Sequence, residues 1–155
     1  MYLIFLQKTT PLLSGKTRRF AQFLKGADSG ERLALSQLPQ VTLLPVPDTV
    51  KFSFRMTDEE RLAEAQRYQQ LLSLICKEAQ DCFLLVLDEA CAAVSTGLLP
   101  LDDLLSCLDR LNCEVVITGR DPDPQLAERA DYITSMEAVR HPFTQGVTAR
   151  EGIEF

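Results

Sequence analysis

Residues Cys82-Phe83-Leu84-Leu85-Val86-Leu87-Asp88 are apolar at every position until the last, which is an acid. A run of this length without polar alternation predicts a central strand, covered by helices on both faces of a mostly parallel sheet. The Asp88 carboxylate then emerges at the sheet's carboxyl edge. No other feature of the chain narrows the possible folds as much.

Along the rest of the sequence, short apolar β-type runs alternate with helical patterns, as expected of parallel strands joined by crossover helices in an α/β fold. Met1-Tyr2-Leu3-Ile4-Phe5-Leu6 is the first run and Phe20-Ala21-Gln22-Phe23-Leu24 the second, ending in a loop with Gly26, Asp28 and Gly30. Val41 to Val46 is a third, closed by Pro45 and Pro47. Thr57-Asp58-Glu59-Glu60 opens a helix as a capping box, after which Leu62, Ala65, Tyr68, Leu72 and Ile75 recur at helical spacing. A helix around Leu101 to Leu111 leads into a strand from Cys113 to Thr118. Another helix follows near Pro124 to Ala130, with Pro124 suited to its first turn. Tyr132-Ile133-Thr134 reads as a last, shorter strand.

A length of 155 residues with 46% hydrophobic content predicts one domain spanning residues 1–155 around a single core. The net charge of −6 and pI near 4.8, without clustered Lys and Arg, argue against a nucleic-acid surface. Apolar runs such as Phe83 to Leu87 are too short to span a bilayer, and no basic leader follows Met1, so the chain reads as cytoplasmic with no membrane partner. The five cysteines, Cys76, Cys82, Cys91, Cys107 and Cys113, include no C-x-x-C pair and sit in or beside apolar stretches. They read as reduced and mostly buried thiols rather than a disulfide framework or a zinc site.

Ligands of open parallel sheets bind beyond the carboxyl ends of the strands, which directs attention to Asp88, Glu89, Thr118, Gly119 and Arg120. Asp88-Glu89 after an apolar strand is the pattern of a Walker-B element, whose carboxylates hold a phosphate-bound Mg²⁺ and its water shell. A strand also ends in Asp simply to cap the next helix, and both readings stand at this point. Thr118-Gly119-Arg120 can set a guanidinium beside a nucleotide, or form a tight turn with a solvated Arg.

The wider constellation is more specific. Gln22-Phe23-Leu24-Lys25-Gly26, Leu87-Asp88-Glu89, Gly97-Leu98-Leu99 and Thr118-Gly119-Arg120 occur in that order. They are followed by a tail with His141-Pro142-Phe143, Gly146-Val147 and Gly152-Ile153-Glu154-Phe155. This pattern resembles the P-loop type of ATP:corrinoid adenosyltransferase from Phe20 to the C-terminus. The resemblance implies a P-loop NTPase-like fold and an enzyme that transfers the 5′-deoxyadenosyl group of ATP to the cobalt of a reduced corrinoid, releasing triphosphate. It implies Mg²⁺, with Asp88, Glu89 and Arg120 on the nucleotide, and Asp88 and Glu89 on the metal. An electron donor such as a reduced flavoprotein and a homodimer are further implied partners. Catalysis of this kind asks for positioning and charge stabilisation rather than a general base.

The resemblance also places Phe52 and Phe54, in Lys51-Phe52-Ser53-Phe54, where the family carries an aromatic pair that packs on the corrin and excludes its lower axial ligand. Removing that ligand makes the cobalt easier to reduce. Period-2 core packing is the competing reading of the two rings. His141, the sole histidine, reads as a structural turn residue rather than a cobalt ligand.

At the N-terminus the chain departs from the family's strand, Gly-rich loop, helix and second strand, because only 19 residues precede Phe20. Gln7-Lys8-Thr9-Thr10 and Ser14-Gly15-Lys16-Thr17 compete for the shortened phosphate loop, and neither satisfies G-x-x-x-x-G-K-[ST]. Lys8, Thr9 and Thr10 are preferred as phosphate contacts, with Thr9 on the metal, because a phosphate loop follows a central strand. A working enzyme with a shortened loop, a family member defective in ATP binding, and a non-catalytic corrinoid-binding module are the readings left open; a generic P-loop NTPase is disfavoured by the tail.

Overall fold

The computed structural model describes residues 1–6, 17–27, 29–80 and 82–148. In chain order the strands are β1 (Tyr2–Leu6), β2 (Arg18–Gln22), β3 (Val41–Leu43), β4 (Leu84–Asp88), β5 (Glu114–Gly119) and β6 (Tyr132–Ser135). The helices are α1 (Gly30–Leu35), α2 (Asp58–Glu78), α3 (Ala90–Ser95), α4 (Leu101–Asp109) and α5 (Pro124–Glu128). The strands form one six-stranded sheet in the order β3-β2-β4-β5-β1-β6.

The apolar run around Leu85 is an interior strand, as its composition demands. β3, β2, β4 and β5 run parallel, with Arg18 opposite Leu84, Gln22 opposite Asp88, and Leu87 opposite Ile117. Alternate residues Ala21, Leu85, Leu87, Val115, Ile117, Ile4 and Leu6 are buried on one face. α2 covers that face with Tyr68, Leu71, Leu72 and Ile75, α4 adds Leu104, Leu105, Cys107 and Leu108, and Arg19 Nε donates to the Glu78 carbonyl at 3.1 Å. Right-handed crossovers explain the arrangement: the steps β3 to β4 and β4 to β5 run one way across the sheet and put α2, α3 and α4 on this face. The step β2 to β3 runs the other way and puts α1 on the opposite face. Leu84, Val86 and Val116 on that second face are only half-buried among the described residues, so its cover is thinner than the all-apolar run suggests.

One expectation fails on direction. β1 lies inside the sheet but is antiparallel to both neighbours, with Leu6 opposite Val115 and Tyr2 opposite Gly119 and Ser135. Its alternation of apolar side chains selects a buried face and says nothing about polarity. To leave β1 parallel, the chain would have to run back the length of the sheet and past β5 and β4 to reach β2, and residues 7–17 are no more than the minimum of about a dozen that a crossover to a neighbouring strand takes. Leu6 therefore stands at the edge where the parallel strands begin, as does Arg18. Asp88 is at the other edge. Lys8, Thr9, Thr10 and Lys16 lie outside the described residues, and the direction of β1 removes the ground on which Lys8 to Thr10 are preferred.

α2 begins with the expected capping box: Glu60 N donates to Thr57 Oγ1 at 3.2 Å and Thr57 N to Glu60 Oε2 at 3.0 Å. Leu62 departs from the expected stripe at 62% exposed. The 21-residue helix outruns a five-residue strand, so its first turns project past the sheet. The thiols are all free; Cys82, Cys91, Cys107 and Cys113 are buried and Cys76 is half-buried, and burial pushes the Cys91 thiol up to about 11. No helix among the described residues is long and apolar enough to cross a membrane. Thr57→Ala removes one half of the capping box and is expected to lower unfolding stability by about 1 kcal/mol, read by urea denaturation.

Candidate functional site

β4 delivers Asp88 to the carboxyl edge and the chain turns at once. Glu89 has left-handed backbone, φ 58°, and α3 starts at the next residue without a side-chain cap. The turn is held from β5: Glu89 N donates to Thr118 Oγ1 at 3.0 Å, and the same hydroxyl donates to Asp88 Oδ1 at 2.8 Å. On the other side, Gln22 at the end of β2 is fully buried and donates from Nε2 to Asp88 Oδ2 at 3.0 Å. Ser29 Oγ donates to Gln22 Oε1 at 3.2 Å, fixing the amide's orientation. Asp88 is thus held from both neighbouring strands, and carboxylate lone pairs remain for a further partner.

Gly119 makes the turn after β5 possible. Its φ is 142°, and a Cβ there would stand 2.8 Å from Cys91 Cβ and 2.9 Å from the Ala92 nitrogen. Only a glycine lets α3 dock this closely.

Beyond β2 the chain bends through Leu24, φ 58°, whose N–H donates to the Tyr68 hydroxyl at 2.8 Å. Burial pushes the Tyr68 hydroxyl up, keeping it neutral. Left-handed backbone costs a leucine about 1–2 kcal/mol, and the bend returns Lys25 toward the sheet edge. Lys25 Nζ lies 2.6 Å from Glu31 Oε1 and 3.5 Å from Asp88 Oδ2. Burial works against the ammonium charge, but the Glu31 hydrogen bond and the charges of Asp88, Glu31 and Glu89 outweigh it and hold Lys25 above the usual lysine range. The Lys25 hydrogen bond holds Glu31 below the usual carboxylate range.

The structure brings Asp88, Glu89 and Thr118 together, with Arg120 exposed just past Gly119 and paired with none of the described residues. Reading Asp88 as a mere cap of the following helix is set aside, since its oxygens go to Thr118 and Gln22. Gln22, Lys25, Ser29 and Glu31 were not among the expected site residues. The signal that could have found Gln22 and Lys25 is the Gln-Phe-Leu-Lys-Gly box directly after β2. Asp88 and Glu89 are hard oxygen donors suited to a divalent cation. Among the described residues no cluster of three or more His, Cys, Asp or Glu side chains is set for a metal.

Phe52 and Phe54 are 67% and 77% exposed, which overturns the core-packing reading. Their rings stack at 5.4 Å and 17°, and the Arg55 guanidinium carbon lies 5.9 and 5.6 Å from the two centroids. Phe52 precedes and Phe54 lies within a short 3-10 turn, Ser53–Arg55, just before α2. α2 starts at the edge where the parallel strands end, so the pair shares that end of the molecule with Asp88. Arg61 ties the two regions, donating to the Ser53 carbonyl at 3.2 Å and to the Thr96 carbonyl behind α3 at 2.6 Å. His141 Nδ1 accepts from Phe143 N at 3.2 Å and opens a 3-10 turn, the structural role expected of it.

This mostly parallel sheet, with helices on both faces and an acid network at its carboxyl edge, defines an α/β protein of P-loop NTPase-like fold. A sequence model of the family "ATP:corrinoid adenosyltransferase BtuR/CobO/CobP" matches residues 11–155. The chain belongs to that family, and its activity is transfer of the adenosyl group of ATP to a corrinoid. It is 33% identical over 138 residues to the corrinoid adenosyltransferase of Pseudomonas aeruginosa, covering 86% of this chain and 67% of the relative. To the corrinoid adenosyltransferase of Escherichia coli it is 27% identical over 153 residues, covering 91% and 72%.

Thr118→Val removes the hydroxyl shared by Asp88 and Glu89 and leaves an N–H unpaired at the turn. It is expected to destabilise the chain by about 1–3 kcal/mol in a denaturant titration.

Proposed function

We propose that the carboxyl edge around Asp88 and Glu89 receives the triphosphate end of Mg-ATP, while the stacked Phe52 and Phe54 pair packs on the face of the corrin. In this reading the cobalt, as Co(I), gives its electron pair to C5′ of the ribose. The C5′–O bond breaks and its electrons leave on triphosphate. The observation that carries the reading is the exposed aromatic stack at the same end of the sheet as the Asp88 network.

Each residue has a task that follows from its position. Asp88, oriented by Gln22 and Thr118, offers its remaining lone pairs, and Glu89 adds a second carboxylate one residue on. Mg²⁺, when bound there with the nucleotide, would neutralise charge growing on the departing triphosphate. Arg120, exposed beside Gly119, can reach an anionic group arriving at the edge. Phe52 and Phe54 present apolar area to the corrin and exclude water or a ligand from the cobalt's lower side. Lys8 and Lys16 lie outside the described residues, and none of these roles is assigned to them. A homodimer, a reduced flavoprotein as electron donor, and a cytoplasmic setting belong to the same reading.

A second reading, a member of this family that keeps the corrin face and binds ATP weakly, draws on the direction of β1, which among the described residues runs antiparallel to β5 and ends at the edge opposite Asp88. Calorimetric titration with Mg-ATP, with and without a corrinoid, separates the two. Binding of both ligands supports the enzyme reading; binding of corrinoid alone by folded protein supports the second.

Asp88→Asn is expected to weaken Mg-ATP binding at least tenfold in protein that still folds, with a lowered melting temperature because an amide donor replaces one of two accepting oxygens; unchanged affinity would take Asp88 out of the site. Phe54→Ala should slow the reaction that starts from Co(II) far more than transfer to pre-reduced Co(I). Equal losses in both assays would reduce the ring to a packing role.

A further inference from the structure

We propose that Lys25 is the cation that binds the triphosphate directly, and that in the nucleotide-free chain it rests against Asp88 where the metal–phosphate group is received. This rests on the reading of the Asp88 edge as the triphosphate end of the site. The pairing of Gln22 with Asp88 brings the end of β2 beside the end of β4, and Lys25 follows three residues later. Its ammonium lies between two carboxylates, 2.6 Å from Glu31 and 3.5 Å from Asp88, with the Glu89 charge also acting on it. Three acids around one lysine leave an excess of negative charge at a place that solvent still reaches. A divalent cation supplies what is missing, and its phosphates supply the anion that an ammonium released from Asp88 requires.

The backbone points the same way. Leu24 keeps left-handed geometry, tied by its N–H to the buried Tyr68 hydroxyl, and this bend turns Lys25 toward the edge. A partly exposed Lys–Glu pair contributes little to stability by itself, so the pair alone gives no reason to hold a leucine there. A ligand-facing role for Lys25 does. In the bound state Asp88 turns its free lone pairs to the metal, Lys25 moves from Asp88 to a phosphate oxygen, and Glu31 competes with that move.

The competition gives a test with opposite signs. Inorganic tripolyphosphate with Mg²⁺ is titrated by calorimetry into the wild type, Lys25→Ala, Lys25→Arg and Glu31→Gln, with a thermal melt of each. Lys25→Ala is expected to weaken binding about tenfold to a hundredfold, Lys25→Arg to restore most of it, and Glu31→Gln to tighten it several-fold by freeing the ammonium. Wild-type affinity in Lys25→Ala overturns the proposal, as does a Glu31→Gln variant that binds more weakly and melts earlier, the mark of a purely structural ion pair. If Lys25→Ala does not fold, the Glu31→Gln result decides alone. A wild type that binds neither tripolyphosphate nor Mg-ATP would overturn the nucleotide reading of this edge, and the Lys25 role with it. Binding that is indifferent to Lys25 would sink only the latter.

Discussion

Gln22 and Asp88 meet because β2 and β4 pair in parallel with Arg18 opposite Leu84, and the whole carboxyl edge depends on that register. The side-chain period of a strand is two, so a slip of one residue would turn Asp88 onto the face where Leu85 and Leu87 are buried. Burying an unpaired carboxylate there costs several kcal/mol, roughly what a core leucine gains from burial and more. The apolar stripe under α2 therefore holds the register, and the register holds the site. The same logic runs through β5, where Leu87 opposite Ile117 leaves Thr118 next to Asp88.

What could be read from the sequence follows the range of the interactions involved. β4, α2, α4 and β5 declare themselves through uninterrupted local patterns, and α2 carries a capping box within four residues. α1 and α3 are six residues each and start without side-chain caps, so nothing local announces them. The polarity of β1 is invisible for another reason: apolar alternation encodes a face, whereas direction depends on the length of chain available to reach the next strand. At the site, Asp88 and Glu89 stand out as acids ending an apolar strand. Gln22 and Lys25 do not, because their meaning comes from Asp88 on another strand, for Gln22 a partner 66 residues away. Phe52 and Phe54 have the spacing of core residues on a strand, and only the 3-10 turn at Ser53–Arg55 separates exposure from packing.

Charge at the carboxyl edge constrains how a nucleotide can arrive. Glu31, Asp88 and Glu89 surround Lys25, with Arg120 exposed beside them, while Arg19 is engaged with Glu78, Lys51 with Glu60 and Arg67 with Glu64. In a chain of net charge −6, a bare triphosphate meets repulsion at this edge. The same anion accompanied by a divalent cation meets carboxylates that can complete the metal's oxygen shell. The acids that repel free ATP are in this view what selects its metal complex.

The two halves of the proposed site hang from different elements, the acids from the end of β4 and the aromatic pair from the turn before α2. Left to themselves, such loops would shift independently, and transfer between a cobalt and a ribose carbon tolerates misplacement of about 1 Å poorly. Arg61 bridges them: one side chain grips the backbone of the aromatic turn at Ser53 and that of the segment behind α3 at Thr96. Because α3 begins immediately after Glu89, the side chain that holds the aromatic turn also holds the far end of the helix that follows the acids. The exposure of the two rings carries the complementary argument. Burying a Phe contributes about 1.5–3 kcal/mol to stability, so two stacked rings held in solvent do not serve the isolated fold. In the proposed reading they form a flat apolar surface, on a turn that Arg61 ties to the segment behind α3, suited to a flat apolar partner.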